Sequence, residues 1–366
     1  MSDKASATPR PPPPPLKGKG NLEERLRENI RLNGPISVAD FMQACLHDPE
    51  HGYYATRPAL GGEDADFLTA PEASQMFGEL LGLWCAHEWT QIGSPAPVQL
   101  IELGPGRGVL MQDALRAAQK APSFFDALKP TFVESSAPLR AEQRARVAHA
   151  QWAARLEDAP PGPALILANE FLDCLPIRQF ARAPEGWREK LLGLDANGAL
   201  RFGLSEPMPG LAFDTPLDFI ETMPALAPVI GSIAERLHAY PGRALLIDYG
   251  YDAPEGADTL QALQRHQKVE PLACPGEADL TAHVDFSAVK RLGEQAGLQV
   301  HGPIGQGQLL RTLGLDQRAE ALARAHPERL ERLKREHARL TAPDQMGVLF
   351  KAICLSSPKL SPPAGF

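Results

Sequence analysis

The chain has 366 residues, with 37 Lys and Arg against 45 Asp and Glu, a net charge of −8 with His neutral. That acidic balance argues against a nucleic-acid binder relying on bulk charge, and 43% hydrophobic with 22% charged residues is a globular composition. No apolar run approaches the roughly 18 residues of a membrane span. The five cysteines, Cys45, Cys85, Cys174, Cys274 and Cys354, are scattered without a C-x-x-C pair. Neither a disulfide framework, a metal site nor membrane insertion is expected, and a reducing, cytoplasmic setting is.

Residues 1–20 carry Pro11 to Pro15 between basic residues and lack an apolar stretch, which predicts a disordered, solvated Pro-rich tail rather than a signal or transit peptide. Residues 21–95 read as a helical segment. Leu22, Leu26 and Ile30 recur at helical spacing up to Asn33-Gly34-Pro35. Ser37 with Asp40 predicts an N-cap opening a second helix through Leu46. A long helix is expected from Pro71 to Ile92, after an irregular stretch from His51.

From residue 96 the texture becomes strand and helix in alternation. Val98–Leu103 is an apolar run suited to a buried parallel strand, and further strands are expected at 131–134, 151–152, 164–168 and 244–248, with late ones at 298–300 and 348–355. The fold class is therefore α/β, a Rossmann-like doubly wound sheet. Residues 96–176 form its first part and 241–357 its remainder, with helices over 305–340. Residues 177–240 are read as an inserted accessory layer containing a hairpin, Trp187 to Leu194 and Leu200 to Leu204, around Asn197-Gly198. Residues 358–366 are expected to be a flexible tail.

The sharpest local signal is Glu102-Leu-Gly104-Pro-Gly106-Arg-Gly108 between a strand and a helix. Glycines there let backbone pass close to a ligand facing helix amides. A dinucleotide fingerprint needs a further glycine where Val109 stands. The G-x-G-x-G form behind an acid instead resembles the S-adenosylmethionine (SAM) loop of class I methyltransferases. Glu134, ending the next strand, is placed to accept both ribose hydroxyls. Trp152 could flank adenine or sit half-buried in the core. Asn169, Glu170 and Asp173 follow the fourth strand, where open α/β sheets place ligands, and two carboxylates with an amide suit a cation such as guanidinium. Two other patterns are refused. His47-Asp-Pro-Glu50-His51 matches an inverted zinc-hydrolase motif, but Pro49 and Gly52 break the helix that motif needs, and no G-x-S-x-G elbow is present.

Taken in series, Gly34–Met42, His51-Gly-Tyr-Tyr54, Asp66–Glu79, Glu102–Gly108, Ala168–Pro176, Asp248-Tyr-Gly250 and Asp279–Phe286 resemble the MidA family, collinearly from about Leu26 to Leu355. That family includes the mitochondrial complex I assembly-factor arginine methyltransferase. The resemblance implies SAM as cofactor and S-adenosyl-L-homocysteine as product, bound at Glu102, Gly104, Gly106, Gly108 and Glu134. It implies that the segment from Asp66 to Glu79, with Thr69 and Glu72, folds over the cofactor, and that Glu170 and Asp173, beside Asn169, face the acceptor. The activity it implies is ω-N symmetric dimethylation of an arginine on a protein partner, such as a complex I subunit; homo-oligomers are compatible with it. The alternatives are a SAM enzyme with a small-molecule or non-arginine acceptor, and a SAM-binding assembly factor acting through protein contacts.

Overall fold

The computed structural model describes residues 20–56 and 69–366; the Pro-rich stretch up to residue 19, and Asp66 of the covering segment, lie outside the described residues. At its centre is a seven-stranded path in the order Gln299–Gly305, Phe350–Ser356, Gly242–Tyr251, Ala164–Asn169, Val98–Leu103, Leu128–Val133, Gln151–Ala153. The last five of these are mutually parallel, and Phe350–Ser356 runs antiparallel to both its neighbours. A doubly wound sheet follows from the sequence because these strands are apolar on both faces. Leu100, Leu165 and Leu245 join one core, whereas Ile101, Ile166 and Leu246 join the other.

Helices Gln75–Gln91 and Val109–Ala118 cover the first face, and Leu226–Ala239 and Phe286–Gln295 the second. Gln75–Gln91 approaches Val109–Ala118 so closely at Gly78 and Gly82 that a Cβ on Gly82 would lie 2.4 Å from the Ala114 carbonyl oxygen. Backbone cannot yield as a side-chain tip can. Gly82→Val is therefore expected to lose about 2–3 kcal/mol of stability, seen as a lowered urea midpoint with an unchanged slope.

The long helix expected from Pro71 to Ile92 is two helices, Ala70–Ala73 and Gln75–Gln91, because Ser74 adopts an extended conformation and its Oγ accepts the Met76 N–H at 3.2 Å as an N-cap. Helices Leu22–Asn33 and Val38–His47 form as expected, each opened by a reciprocal capping box. A second sheet joins Ile36–Ser37 to Gly186–Leu194, Arg178–Ala183 and Phe219–Thr222, with Leu200–Leu204 pairing Gly186–Leu194. The amino-terminal helices and most of the insertion are thus one layer with a shared core, Phe41 and Met42 packing with Leu192 and Leu280. Helix Leu226–Ala239, placed in the accessory layer by the sequence, packs on the central sheet.

Residues 358–366, expected to be a flexible tail, are bonded to the core. Trp84 Nε1 donates to the Ala364 carbonyl at 3.0 Å, and the Ala364 N–H donates to Glu88 Oε1 at 2.8 Å. Glu88 also pairs with Arg243 at 2.7 Å with both side chains fully buried, and Arg243 donates to the Ser361 carbonyl. A buried ion pair persists where its remaining donors and acceptors are met, as these are.

Candidate functional site

Strands Val98–Leu103 and Ala164–Asn169 are neighbours whose chains depart to opposite sides of the sheet, so a crevice opens beyond their carboxyl ends. A cavity of about 420 Å³ lies there. Its floor is the loop Gly104–Arg107, and its far wall is Ala154–Glu157 with Val229 of the helix Leu226–Ala239. The amino-terminal layer closes it with His47, Tyr54, Thr69, Pro71 and Glu72.

Two glycines shape the floor and a third starts the helix behind it, each at positive φ, at +60°, +49° and +80° for Gly104, Gly106 and Gly108. A Cβ on Gly104 would stand 2.8 Å from the Phe171 ring, and one on Gly106 would meet nothing within 4 Å. Gly106 thus presents bare backbone to the cavity. Gly108 faces away from it, as the left-handed N-cap of helix Val109–Ala118 against Phe132 and Gln143.

Glu102 and Glu134 edge this floor. Glu102 is buried, burial pushes its carboxyl well above the usual range, and its Oε2 has no hydrogen-bond partner among the described residues. An unmet buried acceptor at a cavity wall suits a ligand that donates. Glu134 accepts from the Ser136 N–H at 2.7 Å and from Gln143 Nε2 at 3.3 Å; burial raises its pKa and these donors oppose it.

Gln143 was not singled out from the sequence. Its Nε2 also donates to the Gly106 carbonyl at 2.7 Å, while its Oε1 accepts from Trp152 Nε1 at 2.9 Å. One fully buried amide therefore joins the glycine loop, the strand-end acid and the indole. Its spacing of four from buried Leu139 was the available signal. Trp152 does not line the cavity: it braces Gln143 and stacks on Phe132, with the Arg144 guanidinium over its ring. Gln143→Leu leaves three polar groups without their partner, and cofactor affinity by calorimetry should fall about tenfold.

The end of the fourth strand supplies Asn169 and Glu170. Glu170 is a non-glycine residue at φ +51°, and its Oε1 accepts from the Ala70 N–H at 3.1 Å and from Asn169 Nδ2 at 2.9 Å. Burial first, then the Asp173 charge, pushes its carboxyl up to about 8. Asn169 Oδ1 is left without a partner among the described residues.

The structure does not make the expected Glu170–Asp173 pair on one helical turn. Residues 170–175 form no helix, and Asp173 points into the protein, accepting from Tyr249 Oη at 2.6 Å. Burial raises its carboxyl to about 6. The cavity thus gathers Thr69, Glu72, Glu102, Gly104, Gly106, Glu134, Asn169 and Glu170, and leaves Gly108, Trp152 and Asp173 behind its walls. The refused zinc motif has a structural use: Asp48 and Glu50 hold Arg25, and Asp48 Oδ1 caps the N–H groups of Glu50 and His51.

Comparison with known proteins agrees with this geometry. Residues 80–304 match a family model, Methyltransf_28, described as an S-adenosyl-L-methionine-dependent methyltransferase. The chain is 36% identical to the mitochondrial protein arginine methyltransferase NDUFAF7 homolog of Drosophila melanogaster, covering 96% of this chain and 90% of that one. It is 35% identical to the mitochondrial human NDUFAF7, covering 90% and 82%. A Burkholderia thailandensis protein solved with S-adenosyl-homocysteine bound superposes with a TM-score of 0.80 at 26% identity, covering 94% and 93%. The expectation of a cytoplasmic setting is overturned by these relatives, which are mitochondrial proteins.

Proposed function

The chain belongs to this family of S-adenosyl-L-methionine-dependent methyltransferases, and from that premise we propose that it transfers the methyl group to an arginine side chain of a protein. The observation carrying this reading is a carboxyl, Glu170, in the same cavity as the glycine loop and pushed up to about 8 by burial and the Asp173 charge. Such a group becomes a firm anion when a cation arrives. Glu170 Oε2 and Asn169 Oδ1 together offer two acceptors for the fork of a guanidinium. The relatives named protein arginine methyltransferase support the same acceptor.

Glu102, Glu134 and the backbone at Gly106 fit the cofactor's donors and its close approach. When bound, it supplies an electrophilic methyl group on a sulfonium. Glu170 and Asn169 orient the guanidinium nitrogen toward that methyl, Glu170 localises the positive charge, and the proton displaced from that nitrogen passes to solvent during or after transfer, so the product is again a monocation. Thr69 and Glu72 close the cavity from the covering segment, Glu72 lying 3.7 Å from Arg107 of the glycine loop. In its finer form the reading is symmetric ω-N dimethylation of a respiratory complex I subunit, as the family resemblance suggests.

The test is isotope transfer from labelled SAM to a mitochondrial extract followed by mass spectrometry of the labelled proteins. Label on arginine ω-nitrogens is expected. Label on a small molecule or another residue type rejects arginine as acceptor, and no transfer with cofactor still bound favours an assembly factor.

A further inference from the structure

Glu170 sits at φ +51°, a left-handed conformation disfavoured for a residue with a Cβ, so something must hold it there. Its own N–H donates to the Ile247 carbonyl at 3.0 Å, which extends the sheet by one bond. Beyond it the chain turns, and the next three N–H groups, of Phe171, Leu172 and Asp173, all donate to one atom, Asp248 Oδ2, at 3.1, 2.8 and 3.2 Å. Asp248 Oδ1 takes the Tyr249 N–H at 2.9 Å. The Asp248 side chain is 1% exposed and does not line the cavity. The far side of the turn is bolted through Tyr249 Oη to Asp173 Oδ2, and through the Ala282 N–H to the Asp173 carbonyl at 3.0 Å.

Successive N–H groups converging on one point form an anion-binding concavity. Here the anion is internal and comes from the next strand of the sheet. Resting on the reading of Glu170 as the carboxyl that holds the methyl acceptor, we propose that Asp248 is a positioning residue: it fixes the turn after the fourth strand so that the Glu170 carboxyl stands in the cavity. The strand that supplies Asp248 is anchored on both sides in the sheet, so the turn inherits the rigidity of the core. Burial and the neighbouring Asp173 and Glu170 push the Asp248 carboxyl up, and its backbone donors oppose them. Four N–H groups converge on its two oxygens, and the ionised form, an acceptor at both, is the one they favour.

Asp248→Asn keeps one acceptor oxygen for the three N–H groups but removes the charge they converge on, and it sets an NH2 against the Tyr249 N–H. Single-turnover transfer to arginine should fall about thirtyfold or more, with SAM affinity within about threefold because the glycine loop is untouched. If Asp248 acts only through Glu170, the double variant Asp248→Asn with Glu170→Gln should be no slower than Glu170→Gln alone. Losses that multiply, or an unchanged rate in the single variant, overturn the proposal. Should Asp248→Asn fail to fold, hydrogen exchange on the unaltered protein decides. The Phe171, Leu172 and Asp173 amides should be protected like those of strand Gly242–Tyr251, and exchange at free-loop rates refutes the clamp. Absence of arginine transfer by the unaltered enzyme is a different failure, of the function reading; the exchange measurement still tests the clamp in that case.

Discussion

Glu170→Gln should slow methyl transfer to arginine about a hundredfold or more while leaving SAM affinity nearly unchanged, the scale of losing one positioned electrostatic group. Gln keeps the acceptor oxygen for Ala70 and Asn169 and removes only the charge. Two pH signatures separate this from simple damage. With its carboxyl at about 8 in the free protein, Glu170 must shed a proton to receive a cation. Acceptor binding should therefore strengthen as pH rises toward 8 and level off above it, and the variant should lack that rise. Stability moves the other way. The folded pKa lies above the ordinary 4.5, so the group favours folding below pH 4.5 and that contribution is lost as pH rises through about 8. At pH 9 Glu170→Gln should be more stable than the parent by about 2 kcal/mol, discounted from the full shift because the side chain is only half-buried. At pH 4 the two should melt together. Full transfer by the variant would remove Glu170 from the reaction, and lost SAM binding would move it into the cofactor site.

Gly106→Val should abolish measurable cofactor binding, a loss of a hundredfold or more in affinity, with the fold largely intact. The Cβ direction at Gly106 is open space, so the new side chain meets no protein atom and occupies the cavity instead. Left-handed φ adds roughly 1–2 kcal/mol of strain for a β-branched residue. Calorimetry with SAM and S-adenosyl-L-homocysteine, beside circular dichroism, checks both halves. Unchanged affinity would mean that the ligand does not approach this backbone. Gly104→Ala is a poorer probe, since its Cβ would strike Phe171 and disturb the acceptor side as well.

The central sheet was readable because its strands are buried on both faces, which leaves uninterrupted apolar runs such as Val98–Leu103 and Ala164–Ala168. The small sheet of Gln261–Gln264, Gln267–Val269 and Asp279–Thr281 left no such trace, since its strands are three or four residues long and the first two are largely polar. In the site, glycine spacing announced the loop, and the strand-end acids Glu134 and Glu170 stand at the cavity. What sequence spacing misjudged was direction. Three residues between Glu170 and Asp173 suggested one helical turn, but the turn is set by Asp248, 75 residues beyond Asp173 in the chain, and a distant carboxylate has no local signature. Trp152 was near the right place and has a different task, because its N–H is claimed by Gln143 before any ligand arrives.

The strand Phe350–Ser356 is inserted between Gly242–Tyr251 and Gln299–Gly305 rather than added at the margin. During synthesis, a ribosome that has released residues up to about 340 has exposed a chain whose strand Gly242–Tyr251, buried along nearly its whole length in the folded protein, still has an open edge. Its partner there, Phe350–Ser356, is made later, and the Glu88–Arg243 ion pair waits on Ser356, Ser361 and Ala364 for its remaining bonds. An open apolar edge templates aggregation. Stalled or truncated nascent chains lacking residues 350–364 should therefore depend on a chaperone holdase and be cleared by proteolysis, whereas the completed polypeptide should release from it in one cooperative step.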